Sequence, residues 1–275
     1  MKICLIQMNS KENDRNYNVE KASKRIEEAF QFHPDLIVLP EFFNTEYFPQ
    51  YRDYKYLGYA EREDGYTISR MKELAKKYQV HIIATIYEEE RPGLYYDTAM
   101  AINPEGYIVG KYRKVHPSAV KSLEKIYFRG GSRFYVFVIN GWKVGIIICY
   151  DWRFPESIRC LALQGAELVI IPFATPTIDM WPKAMPTRAW ENGLYIATCN
   201  KVGKEGEWNF PGGSLVVDPE GNIIQSAGSE EETIIADLDL WLVHQERMKS
   251  TIFRDRRPEA YKIISTFEDE IPSLP

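Results

Sequence analysis

A chain of 275 residues with 45% hydrophobic and 27% charged side chains can bury a sizeable core, as one large domain or two small ones. The net charge of −5 argues against nucleic acid as a partner, because that role needs a basic face. No run stays apolar long enough to cross a membrane.

Met1-Lys2 leads straight into Ile3–Met8, too short for a secretory leader and read as a first strand. Asn18–Phe32 then sets Val19, Ala22, Ile26, Ala29 and Phe30 at helical spacing. Leu36–Leu39 is apolar on both faces, as a buried strand is. A second helix is predicted over Ile68–Tyr78, followed by strands at Val80–Tyr87 and Thr98–Ile102. Asn103-Pro-Glu-Gly106 reads as a hairpin turn. Strands follow at Tyr135–Ile139 and Val144–Cys149. Pro155 fits the first turn of a helix over Glu156–Gln164, which Gly165 can end. Leu168–Ile171, Leu194–Cys199, Ser214–Val217 and Thr233–Ala236 complete the strands, with a second hairpin turn at Asp218-Pro-Glu-Gly221. The alternation predicts an α/β fold with antiparallel pairs at the two hairpins. No linker interrupts it, so residues 1–275 read as one domain. The charged, aromatic tail from about 241 to 275 is expected at a subunit interface or partly loose.

The four cysteines, Cys4, Cys149, Cys160 and Cys199, form no C-x-x-C pair, and three lie in or beside apolar runs. That usage suits free thiols in the reducing cytoplasm. His33, His81, His116 and His244 lack zinc-ligand spacing, and neither a phosphate loop nor a dinucleotide fingerprint occurs. Gly212-Gly213-Ser214 is not a nucleophile elbow, since Val216 replaces the closing glycine. Neither metal nor organic cofactor is expected.

Three polar residues fall at the ends of apolar runs. Asp35–Glu41 is a buried strand that stops at Pro40 and leaves Glu41 at its mouth. Val144–Cys149 ends on a thiol, ahead of the polar Tyr150–Glu156. Gly110–Pro117 follows a third strand and puts Lys114 in a loop. Ligands of α/β sheets bind at the carboxyl ends of strands, so these groups are placed to converge. Singly, each has an ordinary reading: a small core cysteine, a solvated cap, a wet charged loop.

The local wording adds more. Leu39-Pro-Glu-Phe-Phe43, Lys111-Tyr-Arg-Lys-Val-His116 and Ile148-Cys-Tyr-Asp-Trp-Arg-Phe-Pro-Glu156 resemble, in order, the three signature segments of the nitrilase superfamily of carbon–nitrogen hydrolases. Ile6-Gln-Met8, Gly165-Ala-Glu167, Asn200-Lys-Val-Gly203 and Gly213-Ser-Leu215 extend the resemblance over nearly the whole chain. It implies Glu41, Lys114 and Cys149 as the catalytic set, with Glu124 of Glu124-Lys-Ile-Tyr-Phe128 as a second glutamate. It also implies a four-layer α-β-β-α sandwich and subunits that pair as a homodimer or a higher even-numbered assembly.

The chemistry matches those residue types. A free thiol, with a pKa of about 8.5, is only a few per cent ionised at neutral pH and gains from a nearby base such as Glu41. Attack on an amide carbon creates an oxyanion, which Lys114 and the N–H of Tyr150 would stabilise. Glu124 would hold Lys114.

The expected activity is hydrolysis of a linear amide through a Cys149 thioester. Cys149-Tyr150-Asp151 departs from the Cys-Trp-Glu of nitrile-hydrolysing relatives and favours amides or N-carbamoyl compounds. These two substrate classes stay open, as do a nitrilase that converts a nitrile to acid and ammonia and a catalytically silent metabolite-binding relative. Substrate contacts are expected from Tyr47, Tyr150, Trp152, Phe173, Ala174 and Trp181, and Arg188 is either a carboxylate contact or a surface ion pair.

Overall fold

The computed structural model describes residues 1–267. Its first half runs β1 (Lys2–Gln7), α1 (Arg15–Phe30), β2 (Leu36–Val38), α2 (Tyr66–Tyr78), β3 (His81–Arg91), β4 (Leu94–Ile102) and β5 (Ile108–Arg113). A single helical turn, α3 (Glu124–Tyr127), leads to β6 (Val136–Ile139), β7 (Trp142–Ile146), α4 (Pro155–Leu163), β8 (Leu168–Pro172), α5 (Trp181–Trp190) and β9 (Tyr195–Cys199). The chain continues through β10 (Val202–Glu205), β11 (Trp208–Pro211), β12 (Leu215–Val217), β13 (Ile223–Ser226), β14 (Glu232–Asp237), α6 (Leu240–Lys249) and α7 (Ile252–Asp255).

Two six-stranded sheets result, ordered β14-β1-β2-β3-β4-β5 and β13-β12-β9-β8-β7-β6, with β10 and β11 as a separate hairpin. Each sheet has a parallel centre, β1-β2-β3 in one and β7-β8-β9 in the other, flanked by antiparallel strands. The period of two along a strand sorts side chains into layers. Ile3, Leu5, Leu36 and Val38 face the second sheet, whereas Cys4, Ile6, Ile37 and Leu39 join Val19, Ile26, Met71 and Leu74 under α1 and α2. On the far side, Ile158 and Leu161 of α4 and Met185 and Ala189 of α5 cover the second sheet. This is the expected α-β-β-α sandwich. Burial of each large aliphatic side chain contributes roughly 1.5–3 kcal/mol.

Both Pro-Glu-Gly turns close antiparallel pairs, β4-β5 and β12-β13. Gly165 sits at φ +92 just past α4, and the N–H groups of Gly165 and Ala166 bond back to Ala162 and Leu161. Two boundary differences bear on where Cys149 and Lys114 sit. The strand expected to run to Cys149 ends at Ile146; Ile148 stays extended, but Cys149 itself, at φ +42, has left the strand conformation. Gly110–Arg113, expected in a loop, belong to β5, so Lys114 directly follows a strand. The tail from 241 onward begins as helices α6 and α7, and residues 268–275 lie outside the described part. Among the described residues no helix is long and apolar enough to cross a membrane.

Candidate active site

Glu41 lies just beyond β2, where Pro40, lacking an N–H, stops the ladder. Its side chain is fully buried. One carboxylate oxygen accepts 2.7 Å from Lys114 Nζ, and the other accepts 2.7 Å from the Ala174 N–H just past β8. Glu41 therefore ties the first sheet's C-terminal end to the second's. The next residue, Phe42, is held at φ +53, and buried Lys201 Nζ clamps that turn by donating to Phe42 O at 3.1 Å and Thr45 O at 2.9 Å. Burial pushes Lys201 below its ordinary value, and the buried carboxylate of Glu205, 2.7 Å away, resists that.

Lys114 follows β5. Its backbone carbonyl accepts from the Gly131 N–H at 2.7 Å, an approach only glycine permits, since a Cβ on Gly131 would stand 2.2 Å from Arg113 O. The ammonium is fully enclosed at 2.7 Å from Glu41, 2.8 Å from Glu124 and 3.3 Å from Asp97. Burial alone would lower its pKa, but the carboxylates of Glu124, Glu41 and Asp97 outweigh that and hold it well above the usual lysine value. Lys114 therefore stays charged. Glu124 is not the solvated helix charge of its ordinary reading: it is buried and accepts from Tyr47 Oη at 2.7 Å and the Ser118 N–H at 2.8 Å. Burial raises its pKa against the pull of Lys114.

Cys149 opens a 3₁₀ turn, Cys149–Arg153, in the left-handed region, a strained setting for a non-glycine residue that recurs at functional sites. Asp151 holds that turn. Its carboxylate accepts from the Ile148 N–H at 3.0 Å and Tyr112 Oη at 2.6 Å. It also accepts from the His116 N–H at 2.9 Å and contacts the ring Nδ1 at 2.7 Å. Because Tyr112 and His116 flank Lys114, one buried carboxylate fixes both the Cys149 turn and the lysine segment. Burial pushes the Cys149 thiol well above its ordinary value; Glu41 adds to the push and Lys114 opposes it. The resting group is a thiol in the field of the Glu41 carboxylate, so a reaction at this sulfur would need its proton removed.

A cavity of about 320 Å³ reaches Cys149, whose residue is 8% exposed. Tyr47, Glu124, Tyr150, Trp152, Ala174 and Trp208 contribute to its walls. Trp208 stacks on Tyr47 at 4.4 Å between ring centres. Phe173 and Trp181 do not line it. Both are fully buried in the core, 4.9 Å apart, with Trp181 Nε1 donating to Thr177 O at 2.8 Å. The sequence signal of aromatics near the cleft was real but could not distinguish wall from foundation. Arg188 is 3.1 Å from Glu191, an ion pair on α5. A larger hollow of about 640 Å³ beside Arg91, Arg113 and Arg133 contains no thiol.

Asp97, Trp208 and Glu205 carry no sequence signal of a role here, and Asp151 and Lys201 stand in segments that carry the resemblance without one assigned. Asp97 was legible only as a charge interrupting an apolar strand: β4 begins at Leu94, not Thr98. Trp208 sits on the unpredicted β10–β11 hairpin.

The family model for carbon-nitrogen hydrolase matches residues 2–247. The chain is 39% identical to a nitrilase of Pyrococcus abyssi, over 95% of this chain and 99% of that protein. It is 32% identical to an N-carbamoylputrescine amidase of Solanum lycopersicum, over 94% and 93% respectively. Among solved structures it is similar to a mutant amidase from Nesterenkonia sp. AN1, with TM-score 0.84, 27% identity and 96% coverage of each chain. In that structure the acetamide moiety of fluoroacetamide is covalently added at the active site cysteine.

Proposed function

The chain belongs to the carbon-nitrogen hydrolase family and hydrolyses amide C–N bonds; from that premise we propose that it does so through a thioester on Cys149, with Glu41 as base and Lys114 as the oxyanion's counter-charge. One observation carries this reading. A thiol in a strained turn opens onto a cavity, and the thiol lies in the field of a buried ammonium and of the glutamate bonded to it.

The Cys149 proton passes to Glu41 as sulfur bonds to the amide carbon, and the carbonyl becomes an oxyanion. Lys114 and the Tyr150 N–H, at the open start of the 3₁₀ turn, stabilise that charge; one such donor is worth about 3 kcal/mol. The C–N bond breaks as Glu41 returns the proton to nitrogen, and ammonia leaves. Glu41 then deprotonates water, which attacks the thioester, and the thiol regains its proton as the acid departs. Glu124, tied down by Tyr47 and Ser118, keeps the ammonium on target.

Cys149→Ala should abolish ammonia release across an amide panel, and intact-mass measurement of the active enzyme should catch an acyl adduct. Full turnover by that variant refutes the scheme. An N-carbamoyl substrate is the second reading, favoured by the relative from Solanum lycopersicum; it would release carbon dioxide together with ammonia. Nitriles belong in the same panel, although Tyr150-Asp151 after the nucleophile departs from the Trp-Glu of nitrile hydrolysis.

Residues 1–275 act as one catalytic unit in the cytoplasm, a placement supported by four free cysteines among the described residues. Subunits pair as a homodimer or a larger even assembly, supported by exposed Trp190 on α5, Trp241 and Met248 on α6, and Ile263, Ile264 and Phe267 beyond. The last part of that tail, 268–275, lies outside the described residues.

A further inference from the structure

Three carboxyls and one ammonium share a water-free space. Asp97, Glu41 and Glu124 all meet Lys114 Nζ within 3.3 Å, and all four side chains are buried to 1% exposure or less. Full ionisation would leave two uncompensated negative charges there, which burial strongly disfavours. At least one carboxyl therefore keeps its proton. Hydrogen bonding says which. Glu124 accepts from Tyr47, Ser118 and Lys114, and Glu41 accepts from Lys114 and Ala174. Neither oxygen of Asp97 accepts a hydrogen bond from any donor around it.

We propose that Asp97 is a positioning residue that retains a proton at neutral pH and donates it in a hydrogen bond to Glu41, keeping Glu41 a carboxylate ready to take the Cys149 proton. The inference rests on the Glu41-base reading above. Burial first, then the neighbouring Glu41 carboxyl and its hydrogen bond, push Asp97 well above the usual carboxylate range, against the pull of Lys114. The other titratable groups facing this pair are Glu124, Tyr47, Cys149 and, across the Phe42 turn, Lys201. Asp97 undergoes no net proton transfer in the cycle: its proton stays on it while Glu41 gains and returns the thiol's.

Two measurements test this. The first is the pH profile of kcat/KM. A hydrogen bond donated to Glu41 favours its charged form, so Asp97→Ala should move the acid limb up by about one pH unit. Asp97→Asn, neutral and still a donor, should restore the wild-type limb. An acid limb unmoved in Asp97→Ala, or moved downward in Asp97→Asn as loss of a real charge would require, overturns the proposal. The second readout needs no substrate. An infrared difference between wild type and Asp97→Asn at pH 7 should contain the C=O band of a protonated carboxyl. Absence of that band means Asp97 is ionised and refutes the assignment, whatever the protein hydrolyses. Failure to turn over any amide, with the band present, would count instead against the Glu41-base reading.

Discussion

Replacing Lys114 with methionine keeps the length and apolar stem of the side chain and removes the one cation that three buried carboxyls share. In the native site that cation sits 2.7, 2.8 and 3.3 Å from them with no exposure to solvent. Breaking a buried ion pair by deleting one partner costs roughly 3–5 kcal/mol. For a protein somewhat above 250 residues each kcal/mol corresponds to about 2–4 °C, so the melting temperature should fall by about 10 °C. The loss should also depend on pH. Glu124 and Asp97 already sit above their ordinary values, and without Lys114 they rise further. A carboxyl raised in the folded state favours folding while protonated, and that contribution is lost as pH climbs from the unfolded value toward the folded one. The stability gap between variant and wild type should therefore widen from pH 5 to pH 8. Turnover should fall at least about 10²-fold with the oxyanion's counter-charge gone. Calorimetric scans across that range, paired with ammonia release, check both. Parallel stability curves, or near-native turnover, would refute the idea that Lys114 compensates these acids and the oxyanion.

Tyr47→Phe removes the hydroxyl that reaches Glu124 at 2.7 Å, a hydrogen bond to a charged group, and should cost about tenfold in kcat/KM with the fold intact; unchanged kinetics would mean Glu124 needs no such tether. Trp181→Ala should destabilise by about 3–5 kcal/mol in denaturant unfolding while leaving KM nearly unchanged, because Trp181 is core; a KM change without stability loss would restore it to the substrate wall. Asp151→Ala strips both acceptor oxygens that Ile148, Tyr112 and His116 share and should lower stability by about 2 kcal/mol and iodoacetamide labelling of Cys149 together, whereas labelling at the wild-type rate would separate the two segments it joins. Burial raises the Cys149 thiol, so its alkylation rate should still be climbing with pH above the ordinary thiol range; a plateau by pH 8 would show a thiolate already formed.

Local patterns in the chain already specify the layers. Short runs such as Leu36–Leu39, apolar on both faces, read as buried strands, and the two Pro-Glu-Gly turns mark the antiparallel pairs β4-β5 and β12-β13. The signature segments, with Glu124 beside them, also place Glu41, Lys114 and Cys149 within three residues of the ends of β2, β5 and β7. What lies between those groups is a matter of three-dimensional packing. Asp97 sits in a strand 17 residues before Lys114 yet ends 3.3 Å from its ammonium, and only pairing of β4 with β5 sets that distance. Trp208 reaches Tyr47 from far along the chain. Phe173 and Trp181, next in sequence to the cavity's Ala174 and Met180, turn inward into the core between and beside the sheets. Side-chain type and spacing are one-dimensional properties, and the chain carries them openly. Burial, shared protons and the division of aromatics between wall and core depend on which surfaces meet, and that is decided only when the two sheets pack.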